Sequence, residues 1–252
     1  MSLVAEYKRP VQSMPAFVPV TRNRVLSLLT PAEHALLGPY ISDVLLHRGA
    51  VLHDGSDTPA YVYFPHSGTV SILCASPREQ VVETASVGRE GIVGVAAGMI
   101  PHYRAVVQIS GTASRISAER FADAAAQSEA IRELVTAQTS LLLRQTQQNV
   151  VCGALHVVRG RICRWLSHAR DRCGSDTLPL TQEAIAQAIG VQRTTVTLVL
   201  RMLQDEGLIR TMRGRILVRE AAALQAQACA CYNIVRNLSA EVPAPSNGLA
   251  AG

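Results

Sequence analysis

Residues 180–219 read LTQEAIAQAIGVQRTTVTLVLRMLQDEGLIRTMRGRILVR, and their spacing decides the fold. Thr181 is a favoured N-cap type, and Ile185, Ala188 and Ile189 share one face of the helix that Thr181-Gln182-Glu183 opens. Gly190 permits a tight turn, and Val191 fills the space between two crossed helices. A second helix over Arg193–Glu206 buries Val196, Val199, Leu200 and Leu203 at helical spacing. Its opening residues Gln192, Arg193, Thr194, Thr195 and Thr197 are short or polar and point away from that core. Helix, glycine turn and helix make a helix-turn-helix, whose second helix offers its start to the major groove of DNA. Gly207-Leu208-Ile209 closes that helix. Arg210–Val218 reads as a small hairpin with Arg213-Gly214-Arg215 at its tip, where arginines contact phosphates without reading bases. The motif therefore assigns Gln192, Arg193, Thr194, Thr195 and Thr197 to base edges or nearby phosphates. It assigns Thr181, Gln182, Arg213 and Arg215 to the DNA backbone.

Charge points the same way. Residues 1–155 hold 12 Lys+Arg against 12 Asp+Glu, while residues 156–220 hold 11 Arg against 6 acids. The whole net charge of +5 thus sits in the segment that contains the motif, as expected where a polyanion is met. The rest of the composition, 48% apolar and 17% charged, excludes a disordered or fibrous chain. The longest apolar run, Ile92–Ile100 with two glycines, is about half of what a bilayer-spanning helix needs. Glu6, Lys8 and Arg9 precede no apolar signal core, so the expected location is the cytosol.

Upstream of the motif, Val157–Cys173 reads as a helix with Val158, Ile162, Trp165 and Leu166 on its apolar face and Gly174 at its end. Before it, helical spacing runs from Ala118 to beyond Cys152. Ile131, Leu134, Val135, Leu141, Leu142 and Leu155 repeat near heptad spacing, and Gln138, Gln145 and Asn149 interrupt the stripe. A two-stranded coiled coil would bury this stripe and use the polar positions to fix register; a core helix of a single chain is the alternative. The expected dimer interface is accordingly Ile131, Leu134, Val135, Gln138, Leu141, Leu142, Gln145 and Asn149.

From Arg48 to Ser117 short β-rich runs alternate with turn residues: Ala50–His53, Ala60–Phe64, Thr69–Cys74, Val81–Ala85 and Ala105–Ile109. Such spacing predicts an antiparallel roll or barrel. Residues 24–46 show helix-spaced apolar positions, with Thr30-Pro31-Ala32-Glu33 as a helix start. The six cysteines at 74, 152, 163, 173, 229 and 231 form no C-x-x-C pair. They read as buried or idle thiols of a reducing compartment. Cys229-x-Cys231, taken as helical, points its thiols apart, and no metal site is expected.

The expected organisation is α+β. It comprises an arm over residues 1–20, a β-roll sensor domain over 21–125, a dimerisation helix over 126–156, a winged helix-turn-helix domain over 157–240 and a disordered tail over 241–252.

In detail the motif resembles the Crp/Fnr family of regulators. The match is strongest in Leu180-Thr181-Gln182-Glu183, Gly190-Val191-Gln192-Arg193-Thr194-Thr195-Val196 and Met202-Leu203-Gln204-Asp205-Glu206-Gly207-Leu208-Ile209. Gly160-Arg161-Ile162 resembles the start of the family's helix leading to the DNA-binding domain. Arg48-Gly49-Ala50-Val51-Leu52 and Tyr63-Phe64-Pro65-His66-Ser67-Gly68 resemble the first strands of its cyclic-nucleotide-binding β-roll. The resemblance implies a homodimeric transcription regulator, not an enzyme, on a two-fold symmetric double-stranded DNA site, with RNA polymerase as a candidate partner and no membrane. Where the family's recognition helix often carries a Glu after the first Arg and a second Arg one turn later, Thr194 and Leu198 stand here. Leu198 offers only apolar contact, so the half-site differs.

For the sensor, the resemblance makes cyclic AMP or another small effector the candidate ligand. Gly88-Arg89-Glu90-Gly91 stands for the ribose-binding turn, with Gly88 and Glu90 as its contacts. Arg104-Ala105 stands for the phosphate-binding pair, and Thr146 lies at the spacing of the adenine contact. Arg89 is inserted in the turn and Ala105 lacks the family's hydroxyl. No iron–sulfur cluster of the family's type is expected, since no cysteine precedes Cys74. His47, His53, His66 and His102 specify no haem pocket. The first three also lack the H-x-H spacing of a cupin-like metalloenzyme, the enzymatic alternative. A nucleotide-sensing or protein-interaction module without DNA binding is the other.

Overall fold

The computed structural model describes residues 12–13, 23–55, 57–76, 80–95 and 102–240. Two four-stranded antiparallel sheets form the N-terminal half. One carries β1 (Gln12–Ser13), β2 (Ser42–Leu46), β8 (Gly111–Ser117) and β4 (Tyr61–Pro65) in that order; the other carries β3 (Val51–His53), β7 (Arg104–Ile109), β5 (Thr69–Ala75) and β6 (Val81–Val87). Val44, Leu46, Val70, Ile72, Ala85, Val87, Ala105 and Val107 belong to the core of this roll. Backbone approach is tight where β8 begins: a Cβ on Gly111 would stand 2.1 Å from the Ser67 carbonyl oxygen, so only glycine fits.

A second core lies over the first sheet, where Val62, Phe64 and Ile116 meet Leu37 of α1 (Pro31–Leu37), Phe121 of α2 (Ala118–Gln127) and Ile131 and Leu134 of α3 (Glu129–Leu155). Helix α1 starts on a capping box between Thr30 and Glu33. It stops at Leu37, and the helical reading of residues 24–46 fails for its last part, which is strand β2. Only Val44 and Leu46 of that strand face the core, and the half-buried period-2 pattern is too short to overrule helical spacing. The helical run from Ala118 is likewise two helices. The Ser128 hydroxyl accepts from the Ile131 N–H and caps α3, so a side chain competing for backbone donors splits the run.

The expected dimer stripe also turns out differently. Ile131, Leu134, Gln138, Leu141 and Gln145 are buried within a single chain. Val135 and Leu142 pack against the same chain's two N-terminal cores, and the Asn149 amide donates to the Thr84 carbonyl of β6. The spacing marked the face that packs, and the roll is what it packs on. The face of α3 left in solvent carries Leu143, Val150, Val151 and Leu155, followed by Val157.

After α3 the backbone is extended at His156 and Val157 before α4 (Val158–Cys173), which Gly174 terminates in the left-handed conformation. Then come β9 (Thr177–Leu178), α5 (Gln182–Ile189), α6 (Arg193–Asp205), β10 (Ile209–Met212), β11 (Arg215–Val218), α7 (Ala221–Ala226) and α8 (Cys231–Ala240). The hairpin gains β9 as a third strand on β11. Cys229-x-Cys231 is not on one helix: Cys229 lies in the turn after α7 and Cys231 begins α8. The expected divergence of their thiols does not occur. Of the expected arm, residues 12–13 pair with β2; its remainder and the expected tail over 241–252 lie outside the described residues. Among the described residues no helix is long and apolar enough to cross a membrane.

Candidate nucleic-acid interface

Helix α5 begins where the Thr181 hydroxyl accepts from the Ala184 N–H at 3.2 Å. It ends at Gly190, whose φ of 71° favours glycine. The turn closes as the Val191 N–H donates to the Ala186 carbonyl at 3.0 Å. Ile185 and Ile189 of α5 pack with Val196, Val199, Leu200 and Leu203 of α6, and Ile162 and Leu166 of α4 complete that core. Burying these faces fixes the opposite face of α6 outward. Gln192, Arg193 and Thr194 are exposed at its N-terminus, with Thr195 and Thr197 half-buried beside them. One turn on, Leu198 is 61% and Met202 44% exposed, and Arg201 is exposed next to them.

Two hydrogen bonds hold the parts of this surface in register. The Thr197 hydroxyl donates to Gln182 Oε1 at 2.6 Å, joining α6 to α5. The Thr211 backbone N–H donates to Gln204 Oε1 at 2.8 Å, joining the hairpin to α6. The Arg213-Gly214 turn separates Met212 from its strand partner Arg215, so both arginines project at the tip and are exposed.

The arginines of α4 differ from those of α6 and the hairpin. Those of α4 are engaged: Arg159 with Glu206 at 2.5 Å, Arg170 with Asp176 at 2.6 Å and Arg172 with Glu90 at 2.9 Å. Arg164 donates to Asn149, and Arg161 to the Ile189 carbonyl. Arg193, Arg201, Arg210, Arg213 and Arg215, on α6 and the hairpin, have no carboxylate partner among the described residues. Unpaired cations on one exposed face, beside an α6 first turn free of acids, make a surface suited to phosphate. Leu198 belongs to this face as the resemblance implied, and Arg201 and Met202 join it although the motif did not assign them. Their signal is phase: they sit opposite the buried 196/199/200/203 set.

Residues of the roll reach into the same domain. Arg48 donates to the Pro179 carbonyl at 2.8 Å and to the Thr181 hydroxyl at 3.3 Å, so Thr181 faces the roll as well as capping α5. The buried Glu83 carboxylate accepts from Trp165 Nε1 at 3.0 Å and from the Ser71 hydroxyl. Burial pushes its carboxyl above the usual value, against the pull of those donors and of Arg172 and Arg164. A cavity of about 20 Å³, the size of one water, lies at this junction beside Glu83, Arg164, His168 and Arg172.

The residues assigned to an effector by resemblance are engaged with other parts of the chain. Glu90 accepts from the Gly88 N–H at 3.1 Å and from Arg172. Arg104 pairs with Asp54, Ala105 is in the roll core, and the Thr146 hydroxyl donates to the Leu142 carbonyl of its own helix. The basic reach of α4 into the roll was legible only as composition, because an ion pair 82 residues apart leaves no local pattern.

The chain thus carries a two-sheet roll, a long helix and a winged helix-turn-helix with a basic outer face. Residues 160–227 match the family model of the Crp-like helix-turn-helix domain. Solved structures agree on the fold. A Crp/Fnr-family regulator from Eubacterium rectale superposes with a TM-score of 0.64 at 17% identity, covering 81% of this chain and 98% of its own. FixK2 from Bradyrhizobium japonicum gives 0.65 at 16% identity, covering 75% and 98%. The c-di-GMP-responsive regulator CLP from Xanthomonas campestris gives 0.61 at 17% identity, covering 75% and 99%. No curated protein matches the sequence.

Proposed function

We propose that this chain is a transcription regulator that binds a two-fold symmetric double-stranded DNA site as a homodimer, reading bases with the start of α6. The observation that carries the reading is the exposed Gln192–Thr194 corner of α6 beside five arginines without carboxylate partners. Arg193 suits guanine recognition by a bidentate pair, and Leu198 with Met202 suits thymine methyl contact. Arg213 and Arg215 suit flanking phosphates. The homodimer rests on the outer face of α3, where Leu143 and Val150 stand seven residues apart and are 57% and 68% exposed, the seam spacing of a two-stranded coiled coil. Regulation enters through the roll, because an effector that takes the Glu90 carboxylate from Arg172 would loosen α4.

The test is selection of bound fragments from a random DNA pool, then affinity measured against salt. Arg193→Ala weakens the selected site by about 1–3 kcal/mol and relaxes preference at one base pair per half-site. Arg213→Ala weakens all sequences alike and lowers the salt slope by about one. An unchanged sequence preference in the Arg193 variant would remove that residue from base reading. A wild-type dimer with no salt-dependent DNA affinity would remove the function.

A further inference from the structure

Four metal-binding side chains converge behind the helix-turn-helix. Cys152 lies on the last turn of α3, and His156 is the residue that caps it, its N–H donating to the Cys152 carbonyl at 3.2 Å. Cys229 and Cys231 come from the turn after α7 and the first residue of α8. The turn is set by backbone bonds from the Cys229 N–H to the Gly160 carbonyl and from the Tyr232 N–H to the Cys229 carbonyl. Cys152 Sγ is 3.5 Å from Cys229 Sγ, and Cys231 Sγ is 3.3 Å from His156 Nδ1. All four ligand atoms lie within 4.8 Å of one another.

Those separations fit one small ion. Zinc bonds of about 2.3 Å to sulfur and about 2.0–2.1 Å to nitrogen place tetrahedral ligands about 3.8 Å apart for two sulfurs and about 3.5 Å apart for sulfur and nitrogen. Ligands of a polynuclear iron–sulfur cluster sit on different irons and stand farther apart. We propose that Cys152, His156, Cys229 and Cys231 bind one zinc ion per chain, clamping the α3–α4 bend to the start of α8. Three thiolates and an imidazole are a complete tetrahedral set with no position open for substrate, so the site is structural. Around it, the Gln148 amide donates to Cys231 Sγ at 3.0 Å. The Arg164 guanidinium acts on both Cys152 and Cys229 and offsets the surplus negative charge of three thiolates on a dication. Cys229 and Cys231 lie just beyond residues 160–227, so α8 and half of the ligands are additions to the matched domain.

The clamp spans the only extended residues between the two long helices, His156 and Val157. It therefore sets the direction in which α4 and the DNA-binding domain leave α3. This does not depend on whether the domain binds DNA. The proposed site runs against the expectation that no metal site exists. No C-x-x-C pair is present; the ligands come together only because α8 folds back on α3.

The test uses the full chain, reduced and stripped of metal, then titrated with cobalt(II). Binding saturates at one ion per chain with the intense visible bands of a tetrahedral thiolate site, and zinc displaces them. Elemental analysis of protein grown with zinc finds one zinc per chain. Cys229→Ser with Cys231→Ser abolishes uptake, whereas Cys74→Ser and Cys173→Ser leave it unchanged. Gln148→Leu weakens zinc binding by about tenfold or more. In wild-type protein, zinc slows amide exchange in residues 152–160 and 229–233, a readout that needs no variant to fold. Absent or octahedral cobalt binding would overturn the proposal. So would a brown chromophore with acid-labile sulfide, or a Cys152–Cys229 disulfide in a chain that takes up no metal.

Discussion

Helices α6 and α3 were read from the same signal, apolar residues recurring at helical spacing, yet the signal identified the partner of one and misidentified the partner of the other. In α6 the set Val196, Val199, Leu200 and Leu203 is buried against α4 and α5, as its spacing implies. In α3 the set Ile131, Leu134, Gln138, Leu141 and Gln145 is buried too, but on the chain's own roll rather than on a second α3. Periodicity reports which face leaves water, not what covers it. For a 13-residue helix inside a small domain only one partner is in reach. A 27-residue helix has two sides to satisfy, and its stronger stripe went to the nearer surface.

The sharpest way to break this comparison is to cut each stripe at its centre. Leu134→Ala removes a side chain that is buried in the core between α3 and the first sheet. It is expected to cost about 2–5 kcal/mol of stability, with oligomeric state unchanged below the melting temperature. Denaturant unfolding with sedimentation on the same samples checks it. If Leu134→Ala instead dissociated a dimer without destabilising the chain, the stripe would be the intermolecular seam after all.

The complementary change is Leu143→Glu with Val150→Glu on the outer face. Each side chain would contribute about 1.5–3 kcal/mol if fully buried in a seam, so the double variant is expected to weaken self-association by about a hundredfold or more. Its unfolding midpoint, extrapolated to the monomer, should stay near wild type. A variant that remains dimeric would move the interface off this face of α3.

How much was legible follows from where each signal resides. The helix-turn-helix, its cap at Thr181 and its turn at Gly190 are local, and so were readable residue by residue. The roll was readable as a class from turn residues, but β2 was missed because five residues with two core contacts carry little pattern. Glu83 with Trp165, Glu90 with Arg172 and Arg48 with Thr181 join segments far apart in sequence. No spacing rule reaches across such distances. The cluster of Cys152, His156, Cys229 and Cys231 was hidden for the same reason, being split between the end of α3 and the turn into α8.

Helix α4 connects the two helices just compared, and its polar face supplies a finer test of how the roll holds the domain. His168 is buried there, beside the Tyr232 ring at 4.8 Å between centroids, and its Nε2 has no hydrogen-bond partner among the described residues. Burial, then the charges of Arg172, Arg164 and Arg236, hold its imidazole well below the usual 6.5. The folded chain therefore keeps His168 neutral at pH values where the unfolded chain protonates it. Below pH 6.5 the unfolded state binds the extra proton, so stability falls as pH drops and is regained as pH rises through 6.5. The slope contributed by this one group is at most about 1.4 kcal/mol per pH unit. His168→Gln, which cannot titrate, should flatten the stability profile between pH 6.5 and 5 while lowering stability at pH 8 only modestly. Unfolding curves at three pH values decide it, and a variant that keeps the wild-type slope would mean that the acid sensitivity resides elsewhere than in the α4 junction.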